Sequence, residues 1–376
     1  MSIGMVNMRP ASIARAALLF CALASPFARG SEIKIAVAGP MTGSSATFGA
    51  QMRDGAAAAV EAINASGLLP DHAKVVLSVV DDACDPRQAV AVANKLATER
   101  VLLVVGHFCS ASSIPASHVY AEAGIVQVSP GSSSSRLTER GLETIFRICG
   151  RDDQQGIVAA DYIHAKHTNE NIAVLDDKST AGKGIADVVE AQLHRLGREV
   201  SRQSYIAGEK DFRALVSRMK KDRVRVAYIG GYHTEIGLFV RQASEANANF
   251  VVMANDPLMS SEFWAITGSA GNDTLFTFMA DPAGDANAAG VAATLKASGL
   301  SVEGYTLYAY AAVQAWAEAV NRSGSFDAAR VASALRSRPI DTVIGQVRFD
   351  KKGDNTASRF LVYRWRDGHA ERVKEY

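Results

Sequence analysis

The chain has 376 residues, long enough for about two domains. It is 48% hydrophobic and 21% charged with a formal net charge of +1, values ordinary for a globular protein. That balance argues against a nucleic-acid partner and against attraction to an anionic membrane surface.

Arg9 and Arg15 precede the apolar run Ala16-Ala17-Leu18-Leu19-Phe20-Cys21-Ala22-Leu23-Ala24. A basic stretch followed by a short apolar one is the pattern of a secretory signal peptide, expected over residues 1–30. The run is too short to span a bilayer. Cleavage after Ala24 and after Gly30 both fit. Phe20 is a poor residue before a lipidated cysteine, so Cys21 is expected to leave with the signal. No later stretch is long and apolar enough for a span, and no direct membrane insertion is expected.

In chain order, strand 33–38 ends in Gly39-Pro40-Met41-Thr42-Gly43 and leads to helix 51–65. Strand 75–82 and helix 87–99 follow, the helix opening after Asp85-Pro86. Strand 101–105 runs into Gly106-His107-Phe108-Cys109-Ser110, then a helix to about Glu122. A fourth strand, 124–128, ends in the loop Ser129-Pro130-Gly131-Ser132-Ser133-Ser134-Ser135. Strands alternating with helices of this length imply βαβ units on a parallel sheet, with right-handed crossovers covering both faces.

After a strand over 144–148 the alternation restarts, with a helix from Gln154 and strand 171–176. Helix 182–196, strand 199–205, helix 211–221, strand 224–229, helix 234–246 and strand 249–253 follow. One more strand is read at 275–279, helices at 286–297, 304–321 and 327–336, and closing strands at 345–350 and 359–365. The economical arrangement is two doubly wound α/β lobes with the chain returning to the first after about residue 280. The expected division is 31–151 plus 280–358 for the first lobe and 152–279 plus 359–376 for the second, with three crossings and a cleft between.

The corner at Ser110 is a strand-to-helix junction where a serine can cap and where unpaired N–H groups face the ligand side. It suits a carboxylate or a phosphate. The serine run 132–135 ends a parallel strand, where ligands sit in open α/β sheets. Cys84, Cys109 and Cys149 remain after export, permitting one disulfide and leaving one thiol. If strands 75–82 and 101–105 are neighbours, Cys84 and Cys109 share a sheet edge and are the favoured pair.

Motifs for chemistry are lacking. No Gly-x-Ser-x-Gly elbow, phosphate-binding P-loop, Cys-x-x-Cys pair, His-Glu-x-x-His signature or Gly-x-Gly-x-x-Gly turn after the first strand is present. His233 is read as the one histidine at a site corner, and Arg147 and Arg151 as surface or hinge ion-pair residues.

Five stretches are distinctive together: Asp81-Asp82-Ala83-Cys84-Asp85-Pro86, Gly106-His107-Phe108-Cys109-Ser110, Ala207-Gly208-Glu209-Lys210-Asp211-Phe212, Tyr228-Ile229-Gly230-Gly231-Tyr232-His233 and Asp341-Thr342-Val343-Ile344-Gly345. With them the chain resembles the periplasmic leucine/isoleucine/valine-binding proteins of ABC importers from about residue 32 to 365. The resemblance implies a type I periplasmic binding protein: two Rossmann-like lobes, three crossings, and a cleft that closes on a ligand. It also implies the Cys84–Cys109 disulfide.

By the same resemblance, Ser110 beside Cys109 holds a ligand carboxylate, Gly131 offers backbone groups, and Ser133 binds the polar head. Tyr232 is implied as a cleft tyrosine, and Asp256 takes the place of a glutamate that pairs with the ligand ammonium. Phe48 and Ala181 stand where the family often carries larger polar aromatic residues. The implied function is the soluble, periplasmic, monomeric binding component of an ABC importer, delivering an aliphatic amino acid to a membrane permease. No enzyme activity and no cofactor are implied. A sensor serving a separate signalling partner, or a relative binding another small amino acid or amide, is the alternative.

Overall fold

The computed structural model describes residues 1–2, 4–5 and 31–373. Almost all of the expected signal peptide, Cys21 included, and the last three residues lie outside the described residues.

The first run of elements is β1 (Glu32–Gly39), α1 (Ala46–Ser66), β2 (Lys74–Asp81), α2 (Pro86–Thr98), β3 (Leu103–Gly106), α3 (Ser110–Glu122), β4 (Val126–Ser129) and β5 (Ile145–Arg147). The second is α4 (Asp152–Lys166), β6 (Asn171–Asp176), α5 (Thr180–Arg195), β7 (Val200–Ser204), α6 (Arg213–Lys221), β8 (Val224–Gly230), α7 (His233–Glu245), β9 (Val251–Ala254), α8 (Ser261–Thr267) and β10 (Leu275–Met279). The chain closes with α9 (Ala289–Ala297), α10 (Thr306–Ser323), α11 (Ala328–Ser337), β11 (Ile340–Thr342), β12 (Gly345–Val347), β13 (Phe360–Arg366) and β14 (His369–Arg372).

Local chemistry sets these starts and stops. Asp85 caps α2 by accepting from the backbone N–H of Arg87 and of Gln88, both at 2.8 Å, with Pro86 in the first turn where its missing N–H costs nothing. α1 ends at Gly67 in the left-handed region. Ser179 caps α5 by accepting from Gly182 N–H at 2.9 Å.

Two sheets carry the architecture. One has strand order β2-β1-β3-β4-β5, all parallel. The other runs β14-β13-β10-β9-β8-β6-β7, parallel except where β13 and β14 join antiparallel. Buried Ile35, Val37, Leu103 and Val105 pack with Phe48 and Met52 of α1 and with α10. β6 and β8 bury Ile172, Val174, Val226 and Tyr228 against α4 and α5. The fold class is thus α/β with two doubly wound sheets.

Several expectations change. β2 and β3 are not neighbours; both pair with β1, which lies between them. Cys84 and Cys109 still form a disulfide, their Cα atoms 5.4 Å apart, because both chains turn over the end of β1. The expected strand 345–350 shortens to Gly345–Val347 and pairs only with β11 as a hairpin, which the sequence reading did not contain. α1 begins at Ala46, five residues early, since the turn at Gly43 accepts Ala46 N–H and the helix starts at once. β14 and α8 were also unread.

Candidate functional site

Parallel strands of both sheets end toward the same group of side chains. In the first sheet, β3 ends at Gly106, and His107 and Phe108 lead to Cys109, the residue preceding α3. No side chain caps α3 there, contrary to the capping role a serine at this corner can take. Ser110, 1% exposed, instead accepts a hydrogen bond from Ser134 N–H at 3.3 Å. The corner is thereby tied to the serine loop.

That loop is held from beneath by His107. Its carbonyl accepts from Ser129 Oγ at 2.8 Å, Ser132 Oγ at 3.0 Å and Ser113 Oγ at 3.1 Å. The imidazole is itself buried, with Nδ1 against Asp82 and Nε2 against the Tyr120 hydroxyl at 2.8 Å. His107 therefore also belongs to a site corner, which the reading of His233 alone overlooked. Ser132 spends its hydroxyl on the fold. Ser133 and Gly131 lie beside it, buried.

Gly131 is in contact with Phe108: a Cβ there would stand 2.5 Å from the ring. Phe108 stacks on Phe48 with centroids 4.3 Å apart and meets Tyr305 edge-on at 4.9 Å. Tyr232 approaches Phe108 at 6.3 Å, and His233 approaches Phe48 at 5.0 Å. Phe48, on α1, and Tyr232, just before α7, are thus brought into one aromatic cluster with Phe108 and Tyr305.

Asp256 opens a 3-10 turn after β9 and is 3% exposed. It is not a helix cap. One carboxylate oxygen accepts from Gln155 Nε2 at 3.1 Å and the other from the Tyr305 hydroxyl. Burial raises its pKa, and these two hydrogen bonds oppose the rise. Tyr305 and Gln155 were not read as site residues; a tyrosine before a helix and a glutamine inside one carry no local signal.

Asp152 is the larger omission. It opens α4, is 4% exposed, and burial pushes its carboxyl up to about 7, with Ser133's hydroxyl opposing and the nearby Asp256 charge adding. Its N–H donates to Ser133 O at 2.9 Å, and its Oδ2 has no hydrogen-bond partner among the described residues. Burial lowers the pKa of His233, which Glu262 opposes from 2.9 Å.

Arg147 is wholly buried, not a surface residue. It donates to Asp354 at 2.9 Å, to Ser132 O at 2.9 Å and to Ser134 O at 2.7 Å. Arg151 is the partly exposed one, bonded to Asp153, Glu139 and Asp354. Ala181, the second residue of α5, is half-buried and joins none of these ring or hydrogen-bond contacts. Among the described residues no cluster of His, Cys, Asp and Glu is placed to hold a metal ion, and no helix is long and apolar enough to cross a membrane.

Residues 32–370 match the periplasmic binding protein family. The chain is 46% identical over 340 residues to an amino acid binding protein of Pseudomonas aeruginosa, covering 89% of this chain and 91% of that protein. It is 40% identical over 339 residues to Leu/Ile/Val-binding protein homolog 1 of Brucella suis, covering 90% of this chain and 91% of that one. Among solved structures, a leucine binding protein from Thermotoga maritima superposes with a TM-score of 0.83 at 25% identity, covering 91% of this chain and 97% of that one. A branched-chain amino acid transporter substrate binding protein from Streptococcus pneumoniae, in complex with isoleucine, has a TM-score of 0.80 at 24% identity, covering 92% of this chain and all of that one. The carboxyl-end corner, the parallel sheet and the mostly parallel one, and a match spanning 32–370 place this chain in the periplasmic binding protein family.

Proposed function

We propose that this protein is the substrate-binding component of an ABC importer, taking an amino acid between its lobes and passing it unchanged to a membrane permease. The carrying observation is the pairing of unlike groups across the two sheets. Ser110, Gly131 and Ser133 gather at the ends of β3 and β4, while the carboxylate of Asp256 lies at the end of β9. Donors at a helix start suit a carboxylate, and a buried carboxylate suits an ammonium. The rings of Phe48, Phe108, Tyr232 and Tyr305 supply an apolar wall beside them. The names of the relatives, amino acid and Leu/Ile/Val binding, support the same ligand class.

The lobes of this reading are 31–151 with 280–358, and 152–279 with 359–376, connected by three crossings. Ligand contacts from both sides favour the closed arrangement. The basic and apolar pattern before residue 31 supports export to the periplasm, where the protein acts as a monomer. Calorimetry and thermal shift with leucine, isoleucine, valine, alanine, phenylalanine and small amides test the reading. A ligand at about 100 times its Kd stabilises by about 2.7 kcal/mol. Absence of a response to every amino acid overturns it.

A further inference from the structure

Three strands lying side by side, β7, β6 and β8, each deliver one residue to a common point just past their carboxyl ends. Tyr205 follows β7, Asp177 follows β6, and Gly231 follows β8. A Cβ on Gly231 would lie 2.7 Å from the Tyr205 hydroxyl and 3.2 Å from Asp177 Oδ2. Those two oxygens therefore converge on one spot above the glycine.

Both side chains are over nine-tenths buried, Asp177 at 1% and Tyr205 at 8% exposure. Neither Asp177 Oδ2 nor the Tyr205 hydroxyl has a hydrogen-bond partner among the described residues. Unpaired buried oxygens of this kind are costly, and a carboxylate more so than a hydroxyl. The other oxygen of Asp177 is taken by Ser179 N–H at 2.8 Å. A side chain on Gly182 would collide with that oxygen, at 2.2 Å, so the start of α5 packs closely against this side of the carboxylate.

The spot adjoins the cleft. Gly231 N–H donates to Asn255 Oδ1 at 3.0 Å, next to Asp256, and Tyr232 follows directly in chain. The Tyr232 hydroxyl feels the charges of both Asp177 and Asp256.

We propose that Asp177 and Tyr205 form a distal subsite that takes an N–H-bearing end, a primary amide or an ammonium, on the ligand's side chain. An ionised carboxylate only accepts, and a phenol oxygen can accept as well as donate, so a group with at least two N–H donors can bond to both oxygens. This rests on the amino-acid reading above and narrows it from aliphatic ligands to amino acids whose side chains end in a donor.

The test is calorimetry of the purified exported protein with L-glutamine, L-ornithine and L-lysine against L-norleucine and L-leucine, which lack the donor. At least one donor-ended ligand is expected to bind about tenfold or more tighter than norleucine. Tyr205→Phe, which keeps the ring against Phe212, is expected to reduce that preference by about three- to tenfold. Asp177→Asn should reduce it further for the cationic ligands. Leucine or norleucine binding as tightly as every donor-ended ligand, or a preference unchanged in Tyr205→Phe, overturns the subsite and leaves the amino-acid reading standing. No binding by any amino acid overturns both.

Discussion

Asp354 accepts from Arg147 across 207 positions of sequence, at 2.9 Å and out of solvent. The same arginine donates to the carbonyls of Ser132 and Ser134, so one ion pair joins the chain's closing segment to the serine loop. Asp354→Ala leaves the guanidinium buried without its counter-charge. The expected cost is about 3–5 kcal/mol, read from urea unfolding. Ligand affinity should fall as well, because the loop's carbonyl anchors depend on where Arg147 sits.

Ser110→Ala is expected to weaken amino-acid binding by about 1.5–3 kcal/mol, the worth of a hydrogen bond to a charged group. Calorimetry on the folded variant reads the change. Stability should fall by only about 1 kcal/mol, since in the free protein the hydroxyl's contact is a single long bond to Ser134 N–H. An unchanged affinity removes Ser110 from the groups proposed to hold the ligand carboxylate.

Tyr305→Phe takes away one of the two side-chain donors to Asp256. A buried carboxylate deprived of a donor should cost about 1–3 kcal/mol. The carboxyl pKa should rise further, because the lost bond favoured the charged form. Infrared detection of the carboxyl proton checks the direction.

Asp152 gives the protein a pH signature. Its folded pKa, about 7, lies above the unfolded value, so the folded chain holds the proton more tightly across that interval. Stability therefore falls as pH rises from about 4 through about 7, by at most about 4 kcal/mol, and levels off by about pH 8. Asp177, pushed up to about 6, acts in the same direction. His233, lowered by burial, acts the opposite way below about pH 6.5. Asp152 thus dominates among these three between about pH 6.5 and 8. Asp152→Asn should flatten the fall in urea midpoint over that range.

Reduction of the Cys84–Cys109 disulfide, which closes a 25-residue separation, should lower stability by about 3–4 kcal/mol in the chain-entropy account. Unfolding with and without a thiol reductant measures it. Cys149, buried and with its thiol pushed up in pKa by burial, should stay unreactive until the chain opens.

The parallel strands were legible because Val75–Val80, Val101–Val105 and Val224–Ile229 are largely apolar runs of strand length between helix-length segments. The hairpin was only half legible: β12 lies within the expected strand 345–350, while β11, Ile340–Thr342, has a charged residue between Ile340 and Thr342 and too few residues to show a pattern. At the site, motif residues such as Ser110 were readable one at a time, and the contacts that unite them were not. Asp152 looks in sequence like any acidic first-turn residue. Its partner is Ser133, 19 positions earlier, a contact that no local pattern announces. Arg147 reads as a surface or hinge ion-pair residue, and its buried partner, Asp354, arrives from the far end of the chain.

The carbonyl of His107 accepts hydroxyls from Ser113, Ser129 and Ser132, and so fixes α3 and the serine loop to one atom. Ordering a loop residue costs about 1–2 kcal/mol of backbone entropy. Here that cost is met as the chain folds, before any ligand arrives. An incoming molecule meets a wall already in shape, and its binding free energy is not offset by ordering the loop.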